Sequence, residues 1–267
     1  MINPSKLSKL LEEVQDIAKE AGAFIRKERQ HFSIEKVEHK GLNDLVSYVD
    51  KEAEKMIVAR LSKILPEAGF ITEEGTTDKG AATLTWVIDP LDGTTNFIHG
   101  LPIFAVSIAL MEEDEVVLGV VYEVNRHECF YAKKGGGAFC NDTRIQVSKA
   151  KALSESLIAT GFPYHNFELI DKYMNALKEL MQCTHGLRRL GSAAVDLCYV
   201  AVGRSEGYFE YNLNSYDVAA GALIVEEAGG TVTDFQQGRD FIFGRQIVAT
   251  NGLIHQEFLN KVEAILN

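Results

Sequence analysis

Residues 86–97 read Trp-Val-Ile-Asp-Pro-Leu-Asp-Gly-Thr-Thr-Asn-Phe: an apolar run stops at two aspartates three residues apart and passes through a glycine into a Thr-Thr helix start. No other segment restricts the fold as strongly. The run has the texture of a buried strand, and a buried strand end that presents unpaired acids needs a cation. Hard divalent ions such as magnesium take oxygen ligands, and Asp89 and Asp92, flanking Pro90-Leu91, can direct their side chains and the intervening carbonyl at one or two ions. Gly93 permits close backbone approach, and the free amides of a helix starting near Thr94 suit a phosphate. Taken singly, each aspartate reads better as a turn cap and Thr94 as a helix cap; the combined spacing favours the metal and phosphate reading.

Around this segment the chain alternates helical and strand periodicity. Leu7, Leu10, Leu11, Val14, Ile17, Ala18, Ala21 and Ile25 form one amphipathic stripe, with Asn3-Pro4 as its start signal. A second stripe, Ala53, Met56, Ile57, Leu61, Ile64 and Leu65, predicts a helix from Asp50 to Leu65, with Pro66 beyond its end and a loop from Lys40 to Asp44 before it. Phe70-Ile71, ahead of Glu73-Glu74, is another strand that stops at acids. Runs at 103–112, 116–124 and 128–133 predict an antiparallel meander, and Gly135-Gly136-Gly137 reads as a turn in preference to a phosphate cradle. Further on, helices are expected near 168–181, from Gly191-Ser192, from Asp217 to Glu227 and from 253, with strands near 231–233 and 246–250. The chain is thus expected to divide near residue 150 into an α+β half, 1–150, and an α/β half, 151–267, packed as one body of layers.

With 267 residues there is room for one large domain or two fused ones. Thirty-eight acidic residues against twenty-seven basic give a net charge of −11, which disfavours nucleic-acid backbones and anionic membrane surfaces as partners. No apolar stretch approaches the roughly 18 residues of a membrane span. The opening Met1–Asp16 is too polar for a signal-peptide core, so the expected compartment is the cytoplasm. Cys129, Cys140, Cys183 and Cys198 have neither CxxC nor Cys/His ligand spacing, which argues against a disulfide framework or a zinc site. The seven histidines show no HxxxH, and no serine sits in GxSxG, so zinc or serine hydrolysis is not expected; His99, near the acids, reads as a structural hydrogen bonder.

Asp89-Pro90-Leu91-Asp92-Gly93-Thr94, preceded by Glu73-Glu74 and followed by Tyr216-Asp217-Val218-Ala219-Ala220-Gly221 and Glu227-Ala228-Gly229-Gly230, resembles the inositol monophosphatase family, within the magnesium-dependent, lithium-sensitive phosphatases. The resemblance covers nearly the whole chain. It departs at Tyr216, where the family usually has tryptophan; both are large, partly polar rings, so the helix start at Asp217 is expected to survive. The resemblance implies a layered αβαβα sandwich of α+β and α/β character, commonly a homodimer. It implies two or three Mg2+ ions: Glu73, Asp89 and the Leu91 carbonyl hold the first, and Asp89, Asp92 and Asp217 the second, Asp89 bridging. Such a pair would clamp the oxygens of an in-line displacement; without it the four carboxylates would repel the phosphate and one another, which raises their pKa values. Most of these ligands fall in the first half and Asp217 in the second.

The resemblance further implies that Thr94 and Glu73 orient the nucleophilic water, with Asp50 as the acidic partner of Thr94, and that Asp44 and Asp50 serve a third ion. Helix capping or dipole complementation is an equal alternative for Asp44 and Asp50. The phosphate is expected on the amides of Gly93 and Thr94, with substrate contacts from Ser192, Ala193 and Asp217. Glu210, which by spacing alone is an ordinary acid beside a strand, matches a carboxylate that accepts hydrogen bonds from sugar-like hydroxyls. Arg188-Arg189 stay open between a second-phosphate contact, a subunit contact and a solvated pair.

What is implied, then, is a magnesium-dependent phosphomonoesterase acting on a small polyol phosphate, myo-inositol monophosphate first. Within the same chemistry the alternatives are the 2′-phosphate of NADP and the 1-phosphate of fructose 1,6-bisphosphate, with loops at 34–43, 74–83 and 163–190 deciding between them. A noncatalytic, metal-responsive binding protein is the reading from another class, against which the Gly93-Thr94-Thr95 step argues.

Overall fold

Two helices form the outermost layer of the computed structural model, which describes residues 2–32, 37–41, 44–77, 80, 82–163 and 167–263, with backbone alone for 37–41 and 44–46. α1 (Pro4–Arg29) buries its entire predicted stripe, and Asn3 caps it by accepting from the Ser5 amide at 2.9 Å. α2 (Tyr48–Ile64) starts before Asp50 because Ser47 caps it reciprocally: the Ser47 hydroxyl accepts from the Val49 amide, and the Asp50 carboxylate accepts from the Ser47 amide. Its buried face differs from the apolar stripe. Met56 is 39% exposed, whereas Asp50 and Glu54 are fully buried beside Ala53, Ile57 and Leu61. The segment from Lys40 to Asp44 is not simply a loop: β1 (Val37–Gly41) pairs antiparallel with β2 (Asp44–Ser47), and residues 42 and 43 between them lie outside the described residues.

The second layer is a seven-stranded sheet in the order β3 (Gly69–Thr72), β4 (Leu84–Asp92), β5 (Ala105–Glu112), β6 (Glu115–Glu123), β7 (Glu128–Lys133), β8 (Ala138–Cys140) and β9 (Thr143–Arg144). β3 and β4 are parallel, and the rest is the expected meander. Side chains alternate across it. Trp86, Ile88, Val106, Ile108, Leu110, Leu118 and Val120 pack under α1 and α2, while Val87, Ala105, Ala109, Met111 and Val121 face the other way.

That other face receives α5 (Ala193–Ala201) and α6 (Ser215–Glu227), so chain beyond residue 150 builds its core against strands from before it. The approach is close: a Cβ at Gly119 on β6 would stand 2.8 Å from the Ala220 carbonyl of α6. The glycine triplet is a turn, and its Gly135 and Gly137 amides hold the carboxylate of Glu227 at the end of α6. The fourth layer is a five-stranded sheet in the order β11 (Gly186–Arg188), β10 (Leu157–Thr160), β12 (Gly207–Tyr211), β14 (Gln246–Thr250) and β13 (Thr231–Thr233), with β11, β10 and β12 parallel. β10, β11 and β12 are not among the strands expected from the sequence. α4 (Ile170–Cys183) and α7 (His255–Val262) close the fifth layer around Tyr173, Leu177, Phe209 and Phe258. The result is αβαβα. Among the described residues no helix is long and apolar enough to cross a membrane.

Candidate active site

Pro90 has no amide to give to the sheet, and the pairing of β4 with β5 slips there: Asp89 lies opposite Ser107 and Asp92 opposite Ala105, three residues against two. Residues three apart on a regular strand point to opposite faces. The extra residue in the bulge cancels that alternation, and the side chains of Asp89 and Asp92 turn the same way. Asp217 reaches them from the first turn of α6, where its carboxylate also accepts from the Asn214 amide at 2.6 Å. Oxygens of Asp89, Asp92 and Asp217 all lie within 4.8 Å of one another. Glu73, just past β3, joins Asp89 closely enough for their carboxyls to share a hydrogen bond, and its Oε2 is buried without a partner among the described residues.

These four acids line a cavity of about 290 Å³ together with Leu91, Gly93, Thr94, Arg189, Ala193, Asp196, Glu210, Tyr216 and Arg245. Burial raises the pKa of each of the four. For Glu73 the next cause is the charge of Asp217, and for Asp89 it is Glu73, then Asp92 and Asp217. Asp92 is pushed up to about 6, held back by Ser192 and the amides of Ala194 and Ala193. Asp217 reaches about 8, with Asp92 the charge that adds most to burial. A site that resists its own ionisation and leaves a buried carboxylate oxygen unpaired fits a hard divalent cation.

Beside the acids, α3 (Thr94–His99) begins after Gly93, whose φ of 97° only glycine adopts without strain. Thr94 Oγ1 lies 2.8 Å from Asp50 Oδ1 and 3.0 Å from the Leu91 carbonyl. Asp50 does two things at once: Oδ2 caps α2 through Ser47, at 2.9 Å to the amide and 2.6 Å to the hydroxyl, and Oδ1 takes Thr94. The capping and partner readings are therefore both present in one side chain. Asp44 starts β2, but its side chain lies outside the described residues.

Of the substrate-side residues, Ser192 is turned inward. Its hydroxyl donates to Asp92 Oδ2 at 2.6 Å, the Ala194 amide joins it at 2.7 Å, and α5 is thereby tied to the end of β4. Ala193 and Glu210 line the cavity; Glu210 accepts from Tyr208 Oη at 2.6 Å and is raised to about 7 by burial. Arg189 lines it too, over the ring of Phe162, whereas Arg188 is exposed and bonds the Leu187 carbonyl. His99 is exposed outside the cavity, and Tyr216 stands in its wall with the α6 start intact.

Three residues escaped the sequence reading. Glu54, one turn after Asp50, accepts from the amides of Glu74 at 2.7 Å and Thr76 at 2.8 Å and so fixes the loop that carries Glu73. The i, i+4 spacing of Asp50 and Glu54 was a usable signal. Asp196, four residues after Ser192, and Arg245, remote in sequence, gave none.

A family profile described as the inositol monophosphatase family matches residues 6–267. The chain is 40% identical over 261 residues to an inositol-1-monophosphatase of Mesorhizobium japonicum, covering 97% of this chain and 98% of that one. It is 41% identical over 251 residues to a protein of Pasteurella multocida named Nus factor SuhB, covering 94% of each. The crystal structure of extragenic suppressor protein suhB from Bartonella henselae superposes with a TM-score of 0.90 at 39% identity, over 96% of this chain and 98% of that one. The acids turned together by the bulge, the threonine bonded to Asp50, the layered fold and these likenesses converge: the chain belongs to the inositol monophosphatase family and is a phosphoric monoester hydrolase.

Proposed function

We propose that the protein hydrolyses a small polyol phosphate, myo-inositol monophosphate first, with Mg2+ held by Glu73, Asp89, the Leu91 carbonyl, Asp92 and Asp217. The observation that carries this is the convergence of Asp89, Asp92 and Asp217 oxygens within 4.8 Å at a cavity wall. Bound there, two or three ions would supply the Lewis acidity that phosphate-ester hydrolysis demands. Thr94, giving its single proton to Asp50 Oδ1, would keep its lone pairs to accept from the attacking water, and Glu73 would orient that water with it and take its proton; the Thr94–Asp50 bond and the unpartnered Glu73 Oε2 support this reading. The amides opening α3 at Gly93 and Thr94 would receive the phosphate, with Ala193 and Glu210 beside the polyol. Asp50, and Asp44 six residues before it, are the residues for a third ion.

A bisphosphate or NADP is the second reading, favoured by Arg189 and Arg245 in the cavity wall, which could meet another anionic group. Exposed Phe162, Phe167, Met174 and Met181 support a homodimer. The net charge of −11 supports a protein without nucleic-acid or membrane contacts, and the polar opening segment a cytoplasmic setting, whatever second role the name Nus factor denotes in the relatives. Phosphate release should require Mg2+, and Asp89→Asn should lower turnover at least 10³-fold with the circular-dichroism spectrum unchanged; an Asp89→Asn protein with wild-type turnover refutes the assignment. Rates on inositol 1-phosphate, NADP, fructose 1,6-bisphosphate and 3′-phosphoadenosine 5′-phosphate decide the substrate.

A further inference from the structure

The cavity contains a buried acid to which neither the hydrolytic step nor the polyol contacts above give a role. Asp196 lies in the first turn of α5, is 1% exposed and is among the residues that line the cavity; its Oδ1 is buried with no hydrogen-bond partner among the described residues. Its neighbours along α5, Ala193, Ala194, Val195, Leu197, Cys198, Val200 and Ala201, are all buried and apolar, so packing alone gives no reason for a carboxyl there. An unsatisfied buried acceptor is costly to the fold and calls for a donor from elsewhere.

Glu210 shares the cavity, 8% exposed and at the inner end of β12. Its carboxylate presses on Gly161 so closely that no Cβ would fit there, and Tyr208 gives it one hydrogen bond at 2.6 Å. Asp196 feels the charge of Glu210 and then of Asp92, which together with burial holds its pKa well above the usual carboxylate range. Arg189, in the same cavity wall, opposes that rise, yet Asp196 Oδ1 is left as an acceptor to which no described residue gives a hydrogen bond. A hydroxyl-bearing ligand supplies donors; a phosphate or carboxylate supplies none and adds charge of the same sign.

We propose that Asp196 is a specificity-determining residue which, with Glu210, accepts hydrogen bonds from hydroxyls of a polyol phosphate and so selects polyol esters over esters of the same shape without hydroxyls. This assignment rests on the phosphomonoesterase reading above. The test compares myo-inositol 1-phosphate with cyclohexyl phosphate, the same ring without hydroxyls, on the full chain with saturating Mg2+. Asp196→Leu, close in shape to aspartate, should raise KM for the inositol ester about tenfold or more, leave kcat/KM for the cyclohexyl ester unchanged, and leave Tm equal or higher. A lowered Tm with the ratio of the two esters unchanged would mean that Asp196 is structural, and overturns the assignment. Should Asp196→Leu not fold, Asp196→Asn carries the test: replacing one acceptor with a donor should raise KM several-fold for the inositol ester alone, and an unchanged KM overturns the assignment. A wild-type chain that hydrolyses neither ester removes the phosphomonoesterase reading itself, and this assignment with it.

Discussion

Glu210 shows how a single residue can read as unremarkable in sequence and become conspicuous once buried. Along the chain it is one acid among aromatic residues; in the fold it is 8% exposed, bonded by Tyr208, and shifted from the ordinary glutamate value to about 7. The shift has a consequence for stability. A carboxyl that holds its proton more tightly folded than unfolded contributes fully below the unfolded pKa of about 4.5, and that contribution is lost as pH rises to the folded value of about 7. Metal-free protein should therefore lose roughly 3 kcal/mol from this group between those pH values, with Asp92 and Arg189 modulating it. Glu210→Gln should flatten that part of the profile in urea melts taken across pH 4–8; a profile identical to that of the parent would show that the glutamate is not the group responsible.

At the scale of elements, the site depends on how helix faces and strand ends are spent. α2 buries Asp50 and Glu54 on the face that its apolar periodicity would have kept oily, and each acid holds a different part of the site: Asp50 holds Thr94, and Glu54 holds the 73–76 loop. Glu54→Gln replaces one of two acceptors by a donor that faces an amide. It should raise the Mg2+ concentration needed for half-maximal activity by about 10–100-fold, with kcat recovered at saturation. A magnesium titration superposing on wild type would leave Glu54 a purely structural acid. The sheet beneath α6 makes the opposite demand, for smallness. Gly119→Ala places a methyl group against the Ala220 carbonyl and should cost about 1–3 kcal/mol in denaturant unfolding.

Across the whole molecule, the two sequence halves meet through the acids. Asp92, on β4, fastens the start of α5 through Ser192 and Ala194, while α6 brings Asp217 to the same cavity, so neither half completes the site alone. The face bearing Met174 and Met181 on α4 lies outside this union and is 50% and 57% exposed at those positions. If it joins two copies, Met174→Glu with Met181→Glu should halve the mass measured by light scattering, and a mass unchanged by the double substitution removes that face from the interface.

Much of this was legible in order and type. The α1 stripe, the meander expected over 103–133 and found over 105–133, the strands at 231–233 and 246–250, and the Asp89-Pro90-Leu91-Asp92-Gly93-Thr94 segment all follow from local periodicity and from what proline, glycine and clustered acids permit. Local pattern could not show that a bulge turns Asp89 and Asp92 the same way, that Asp50 both caps a helix and holds Thr94, or that Asp196 and Arg245 reach one cavity from 49 residues apart. Those results come from register and packing, which act between segments distant along the chain. The residues decide which chemistry is available; only the tertiary contacts decide which of them share a proton, a cation or a substrate.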